Sequence, residues 1–236
     1  NHCEEMSLAQ GGAMHEGLVS TRLGLKGIPA AAEEIMVARD IILAELTGGH
    51  VHLCHMSTRG SVELIRRGKE KGVRVTAEAT PHHFSLTHER CEGYDTNAKM
   101  NPPLREHEDV DAIRQGLKDG TIDVIASDNA PNGIIGLETA LGVAIRDLVE
   151  SGVLSLPALI DRMSTRAARI FNLPCGTLAV GAPPDVVVLD PTERWIVRPE
   201  SFRSKSRNTP YAGAELVGRA HQTVVRGRIV FDIRSA

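Results

Sequence analysis

The strongest constraint on the fold is a rhythm. Between residues 51 and 172, short strand-like runs alternate with segments of helical period. Residues 51–55 are a short apolar run, and residues 59–72 follow with Val62 and Ile65 at helical spacing and Gly72 placed to end the helix. Residues 73–78 read as a β-branched strand. Residues 105–120 put Val110, Ile113 and Leu117 on one helical face, with acidic residues early and Gly120 at the end. Residues 122–127 are the next apolar strand, and Leu137, Leu141, Ile145 and Leu148 mark a helix closed by Ser151-Gly152. Upstream, residues 29–47 form a helix with Pro29 in its first turn and Gly48-Gly49 at its end. Strand, helix, strand, helix in this order implies parallel strands joined by crossover helices, as in a doubly wound sheet or a (β/α)8 barrel.

After Leu173 the pattern changes. Gly176, Gly181, Pro183 and Pro184 break the chain, and residues 186–190, 195–197, 223–225 and 228–231 read as short strands. Arg226-Gly227 sits where a tight hairpin turn belongs. The expected organisation is an α/β domain over residues 1–172 and a small β domain over residues 173–236.

Composition excludes several classes. A net charge of -3 over 236 residues gives no electrostatic reason for a nucleic-acid or membrane-surface partner. No apolar run has the length to span a bilayer. Cys3, Cys54, Cys91 and Cys175 are scattered with no CxxC pair, which reads as reduced thiols in a cytoplasmic protein. The first residues, Asn1-His2-Cys3-Glu4-Glu5, carry no initiator Met and no signal pattern, as though the chain opens in mid-domain.

The candidate chemistry lies at strand ends. His55 ends residues 51–55, Asp128 ends residues 122–128, and His2 stands where a strand cut short would end. In α/β barrels the active site is assembled from residues at the C-terminal ends of the strands, and two His with one Asp suit Zn²⁺. A single His or Asp at a strand end is more often a loop hydrogen-bonder, so the argument rests on the three together. His52 and His55 resemble a metal pair, but strand side chains alternate with period two, so only one faces a barrel interior. His55, at the tip, is the choice; His50 and His52 are then structural or surface residues, and His82-His83 have a loop role. In Lys99-Met100-Asn101-Pro102-Pro103-Leu104-Arg105 the two prolines stiffen a loop entering a helix. Such a loop could hold the Asn101 amide for substrate, or be a plain connection.

Several segments together resemble class I dihydroorotases, of the amidohydrolase superfamily. They are His2-Cys3-Glu4-Glu5, Met14-His15-Glu16-Gly17, Leu23-Gly24-Leu25-Lys26-Gly27-Ile28-Pro29, Ala32-Glu33-Glu34, Val51-His52-Leu53-Cys54-His55-Met56-Ser57-Thr58 and Thr80-Pro81-His82-His83. The Lys99–Arg105 loop, Ala126-Ser127-Asp128, Gly133-Ile134-Ile135-Gly136-Leu137-Glu138-Thr139 and Ser204-Lys205-Ser206-Arg207-Asn208-Thr209-Pro210 continue the likeness to about Phe231.

The resemblance implies the C-terminal half of an amidohydrolase (β/α)8 barrel followed by a small β-sandwich domain. It implies reversible, zinc-dependent cyclisation of N-carbamoyl-L-aspartate to dihydroorotate in pyrimidine synthesis, with one or two Zn²⁺ ions. By this analogy His2, His55 and Asp128 bind metal, Asp128 also moves the proton, and Asn101 and the backbone at Asn132 and Gly133 contact substrate. The family's His-x-His motif, bridging group and first substrate residues would precede His2, so part of the site is absent from this chain. Ser127-Asp128 runs straight into Asn129-Ala130-Pro131-Asn132-Gly133-Ile134, where the family has a mobile loop with a substrate-binding His. The expected partners are a small-molecule substrate and, for the assembly, a second copy of the chain or aspartate transcarbamoylase. Two other readings stand beside this one: an allantoinase or hydantoinase, and a non-catalytic dihydroorotase-like partner of aspartate transcarbamoylase. The late Lys-Ser-Arg-Asn-Thr-Pro segment opposes the first, and the retained His2, His55 and Asp128 oppose the second.

Overall fold

The computed structural model describes residues 1–130 and 132–235; Pro131, of the Ala130-Pro131 pair, lies outside the described residues. The chain divides into two compact units, Asn1–Leu137 with Pro199–Pro210, and Glu138–Arg198 with Tyr211–Ala236. Compactness therefore does not follow the sequence boundary at residue 172.

The first unit carries the parallel strands expected after residue 51, and a further pair before them that was not expected. β1 (Met14–His15) pairs with β2 (Gly27–Ile28), and β3 (Val51–Leu53), β4 (Val75–Ala79) and β5 (Val124–Ile125) form a second sheet in that order. Both ladders of the second sheet are parallel, with His52 opposite Thr76 and Ala79 opposite Ile125. The crossovers are the helices Arg59–Glu70 and His107–Asp119. Thr58 caps the first by accepting from Ser61 N–H at 3.1 Å, and Gly120, with φ of 88°, closes the second through the left-handed conformation glycine adopts without strain. The strands do not close on themselves among the described residues.

The sheet has two different faces because strand side chains alternate. Leu53, Ala77 and Ala79 are fully buried, as are Val62, Ile65, Ile113, Leu117 and Ile122 of the crossover segments. On the opposite side of the strands, His52, Thr76 and Glu78 are only half-buried and form a polar row. Packing between the crossover helices is close at Gly116: a Cβ there would stand 3.1 Å from both Val62 and Ile122.

Helix Ala31–Thr47 matches its expected range within the usual end variation. The short helices Met6–Ala9, Leu18–Leu23 and Pro81–Ser85, like β1 and β2, were not expected from the sequence. His82 and His83 thus lie in a buried helical turn, not in a loop.

In the second unit, residues 140–149 are helical, but Leu137 is 71% exposed and outside the helix. Helix Ala140–Ala144 passes into a π-turn over Ile145–Val149, which shifts the face set by Leu141 and Leu148. Further helical segments run from Leu156 to Ile170. The β part is one antiparallel three-stranded sheet, β6 (Val186–Ile196), β7 (Glu215–Val225) and β8 (Arg228–Asp232). The two expected strands at 186–190 and 195–197 are a single β6 interrupted at Pro191, where the Asp190 carboxylate accepts from Thr192 and Glu193 N–H instead of the ladder. The hairpin turn falls on Arg226 and Gly227 as expected, both with positive φ. Among the described residues no helix is long and apolar enough to cross a membrane.

Candidate metal centre

His2 and His55 meet. The backbone amide of Cys54 donates to the carbonyl of Asn1 at 3.0 Å, laying the first residues along the end of β3. His2 Nδ1 then stands 3.0 Å from His55 Nε2, with the rings edge to face at 4.7 Å between centroids. His2 Nε2 lies 3.2 Å from Glu4 Oε2, and the same oxygen accepts from Asn101 Nδ2 at 3.3 Å. Glu4 therefore ties the expected substrate residue to the expected metal residue, a link that sequence reasoning missed.

Both strand-end residues are conformationally unusual. His55 has φ of 43° and Asp128 φ of 42°, in the left-handed region that residues with a Cβ rarely occupy. At His55 the reversal is held by Met56 N–H donating to Glu78 O at 2.8 Å. His55 Nδ1 and Asp128 Oδ2 are buried and have no hydrogen-bond partner.

The fields are mutual. Burial lowers the His55 pKa, the Asp128 charge opposes that, and His2 adds to it. Burial raises the Asp128 carboxyl; His55 and His2 pull it back down while Glu78 pushes it further up. A neutral imidazole with a free lone pair is the state that ligates a metal, and a raised carboxyl suits proton exchange.

The donor set fits a metal ion. Two nitrogens on one tetrahedral zinc, each about 2.0–2.1 Å from it, stand about 3.3 Å apart. The observed 3.0 Å between His2 Nδ1 and His55 Nε2 is close to that.

Asn132 is exposed, while Gly133 is buried with its N–H donating to Ala130 O at 2.9 Å. A Cβ at Gly133 would come within 2.8 Å of Met100 Sδ, so this loop lies directly on the residue preceding Asn101. Ala98, Met100, Leu104 and Ile134 share one small apolar cluster beneath both loops.

Among the described residues two sets, neither containing His2, His55 or Asp128, bring three potential ligand atoms within 4.8 Å of one another: His52 with Cys54 and Glu78, and His15 with His88 and Glu106. In the first, His52 is engaged with Thr76 Oγ1 at 2.9 Å and Glu78 Oε2 at 3.1 Å, so it has the structural role expected of it. His50 also contacts Thr76 Oγ1. In the second, Arg105 places an N–H donor 3.1 Å from His15 Nδ1. Arginine is never an acceptor, so Nδ1 must accept and the ring proton sits on Nε2, facing Glu106. Burial and the Arg105 charge lower the His15 pKa to about 4. That tautomer leaves no lone pair on His15 for a cation. His83 bridges Thr80 Oγ1 and Pro102 O, which fixes the Asn101 loop from below, and buried His82 Nε2 has no partner.

The amidohydrolase family profile matches residues 2–230. The dihydroorotase of Pelotomaculum thermopropionicum is 52% identical over 99% of this chain and 58% of its own length. The chain thus spans less than two thirds of the curated relatives it matches. That alignment extends over 248 positions against 236 residues here, so the relative carries residues inside the matched span that this chain lacks. The solved L-hydantoinase (dihydropyrimidinase) from Arthrobacter aurescens matches with a TM-score of 0.87 at 27% identity, covering 98% of this chain and 56% of that one. The inactive dihydroorotase-like domain of the Chaetomium thermophilum CAD-like multifunctional protein matches with a TM-score of 0.65 over 82% of this chain and 54% of that one; at 22% identity it shows the fold alone.

Proposed function

This chain belongs to the amidohydrolase family, and from that premise we propose that the complete protein is a zinc-dependent dihydroorotase that interconverts N-carbamoyl-L-aspartate and dihydroorotate. The observation that carries the reading is the His2 Nδ1–His55 Nε2 pair at 3.0 Å beside the unpartnered Asp128 Oδ2. The 52% identity to a curated dihydroorotase selects this substrate over the hydantoins, whose enzymes match at 27% or less.

In this reading His2 and His55 hold Zn²⁺ and Asp128 completes the first contacts from this chain. Bound there, the ion supplies Lewis acidity for the amide carbonyl and makes a nucleophile available near neutral pH. Asp128 Oδ2 accepts a proton in the hydrolytic direction and delivers it to the leaving ring nitrogen; in ring closure it does the reverse. The stiff loop presents the Asn101 amide to the substrate, with the backbone at Asn132 and Gly133 beside it. Residues 1–172 are the C-terminal half of the (β/α)8 barrel, and residues 173–236 contribute to a β-sandwich whose second sheet comes from elsewhere in the complete protein. The rest of the metal site comes from there too, and the residues that the relative carries in excess belong to the loop after Asp128. The protein works in the cytoplasm, as a homo-oligomer or with aspartate transcarbamoylase.

The test is a substrate panel on the complete protein: dihydroorotate, hydantoin and allantoin, with bound zinc quantified. Dihydroorotate hydrolysis is expected. Hydantoin or allantoin turnover without dihydroorotate turnover would replace the reading with the runner-up, and no turnover of any of them would favour a non-catalytic partner.

A further inference from the structure

Glu33 sits in the helix Ala31–Thr47, far in sequence from the proposed site, and is 2% exposed. A buried carboxylate needs several donors or a cation to be tolerated. Glu33 has both. Its Oε1 accepts from Ser57 N–H at 3.0 Å and Thr58 N–H at 3.2 Å, and its Oε2 accepts from the Ser57 hydroxyl. The same hydroxyl oxygen accepts from Arg105 Nε at 3.1 Å. Arg105, also 2% exposed, donates from Nη1 to Ile28 O at 2.8 Å.

The placement of these partners matters. Ser57 and Thr58 are the second and third residues after His55, and the left-handed φ of His55 must be held by the residues that come after it. Arg105 closes the loop that starts at Lys99 and carries Asn101. One carboxylate thus grips the turn behind the metal residue directly and the substrate loop through a single hydroxyl. Neither segment has a strand ladder of its own there: β3 ends at Leu53, and residues 99–105 form no regular element.

We propose that Glu33 is a positioning residue that, through Ser57 and Arg105, sets the His55 turn and the Asn101 loop relative to each other. The proposal rests on the reading that His55 holds zinc and Asn101 meets substrate. Outer groups that orient metal ligands typically change metal affinity or activity about 10–100-fold when removed. Gln at this position keeps the shape but turns an NH2 group toward donors, which cannot accept it. Ser57→Ala leaves the grip on the backbone N–H groups and removes the hydroxyl that donates to Glu33 Oε2 and carries the link to Arg105.

The experiment uses the complete protein with three variants: Glu33→Gln, Ser57→Ala and the core control Gly116→Ala. Zinc affinity is read by chelator competition, and kcat and KM for dihydroorotate are read separately. Glu33→Gln is expected to weaken zinc binding about 10-fold or more and to raise KM, whereas Ser57→Ala raises KM several-fold and moves zinc affinity less. Gly116→Ala, whose Cβ would meet Val62 and Ile122 at 3.1 Å, changes the melting temperature and leaves both titrations unchanged. Wild-type zinc affinity and KM in Glu33→Gln would overturn the proposal, as would losses that Gly116→Ala reproduces. If Glu33→Gln does not fold, Ser57→Ala decides by the same measurements: an unchanged KM overturns the proposal. Absence of zinc binding or turnover in the wild-type protein would overturn the functional reading instead, before any variant is compared.

Discussion

Replacing Arg105 by Met removes the cation that donates to the Ser57 hydroxyl held by Glu33, and its cost can be reasoned from the surroundings. Ile28 O, which loses Arg105 as a donor, still accepts from Glu16 N–H at 3.1 Å, and Ser57 keeps its bond to Glu33, whereas buried His15 Nδ1 is left without its donor. The loss combines that of the cation facing a buried carboxylate with that of the donor to His15. Breaking a buried pair by removing one partner costs about 3–5 kcal/mol. The pH dependence identifies the source. Burial pushes the Glu33 carboxyl up, but Arg105 and the Ser57 and Ser61 hydrogen bonds outweigh it and hold the group below its ordinary value. A folded-state pKa below the unfolded one contributes stability above the unfolded pKa and loses it as pH falls through the folded value. Arg105 is the largest of the lowering influences, so its removal is expected to let burial dominate and to carry the folded pKa above the unfolded one. That contribution is then fully present below the unfolded pKa and is lost as pH rises through the folded pKa. The deficit of Arg105→Met should accordingly be largest near pH 8 and shrink toward pH 5, by at most about 1.4 kcal/mol per pH unit. Urea unfolding of the zinc-loaded complete protein, followed by circular dichroism at 222 nm, measures it. A deficit that is constant from pH 8 to 5, or below about 1 kcal/mol at pH 8, would refute the account.

Three further outcomes are expected. Asp128→Ala should lower dihydroorotate turnover by about 10²–10⁴-fold or more with the circular dichroism spectrum unchanged, and near-normal turnover would remove Asp128 from the mechanism. Gly27→Ala should destabilise the first unit by about 1–3 kcal/mol in urea, because its Cβ would press on the Glu16 backbone, 2.8 Å from the amide nitrogen, and backbone in a paired strand does not give way. With a thiol reagent at pH 8, exposed Cys175 should react first and Cys3 only on unfolding, since burial, together with the charges of Asp40 and Glu33, raises the Cys3 thiol to about 12; Cys175→Ser should abolish the fast phase.

The βαβ rhythm was legible because its signals are local. Helical spacing at Val62 and Ile65, β-branched runs, and glycines at Gly48, Gly72 and Gly120 that take positive φ all act within a few residues. The Arg226-Gly227 turn was legible for the same reason. The long β7 was not: residues 215–222 lack a clean apolar alternation, and Gly218 is accommodated in the strand because Ile145 packs where its side chain would be. The π-turn over Ile145–Val149 was equally invisible, since helical period alone does not reveal a one-residue slip.

The candidate site divides the same way. Strand-end position and residue type marked His2, His55 and Asp128, and the two prolines marked the Asn101 loop. By itself the sequence determined the order of elements, the residues that could ligate a metal, and the family resemblance. Tertiary structure alone brought His2 Nδ1 to His55 Nε2, put Glu4 between His2 and Asn101, and joined Glu33 to Arg105 through Ser57. A charged residue on a helix reads as solvated until its surroundings are known. Only the folded chain excludes water from both ends of a contact between residues 33 and 105, and that exclusion makes the contact strong.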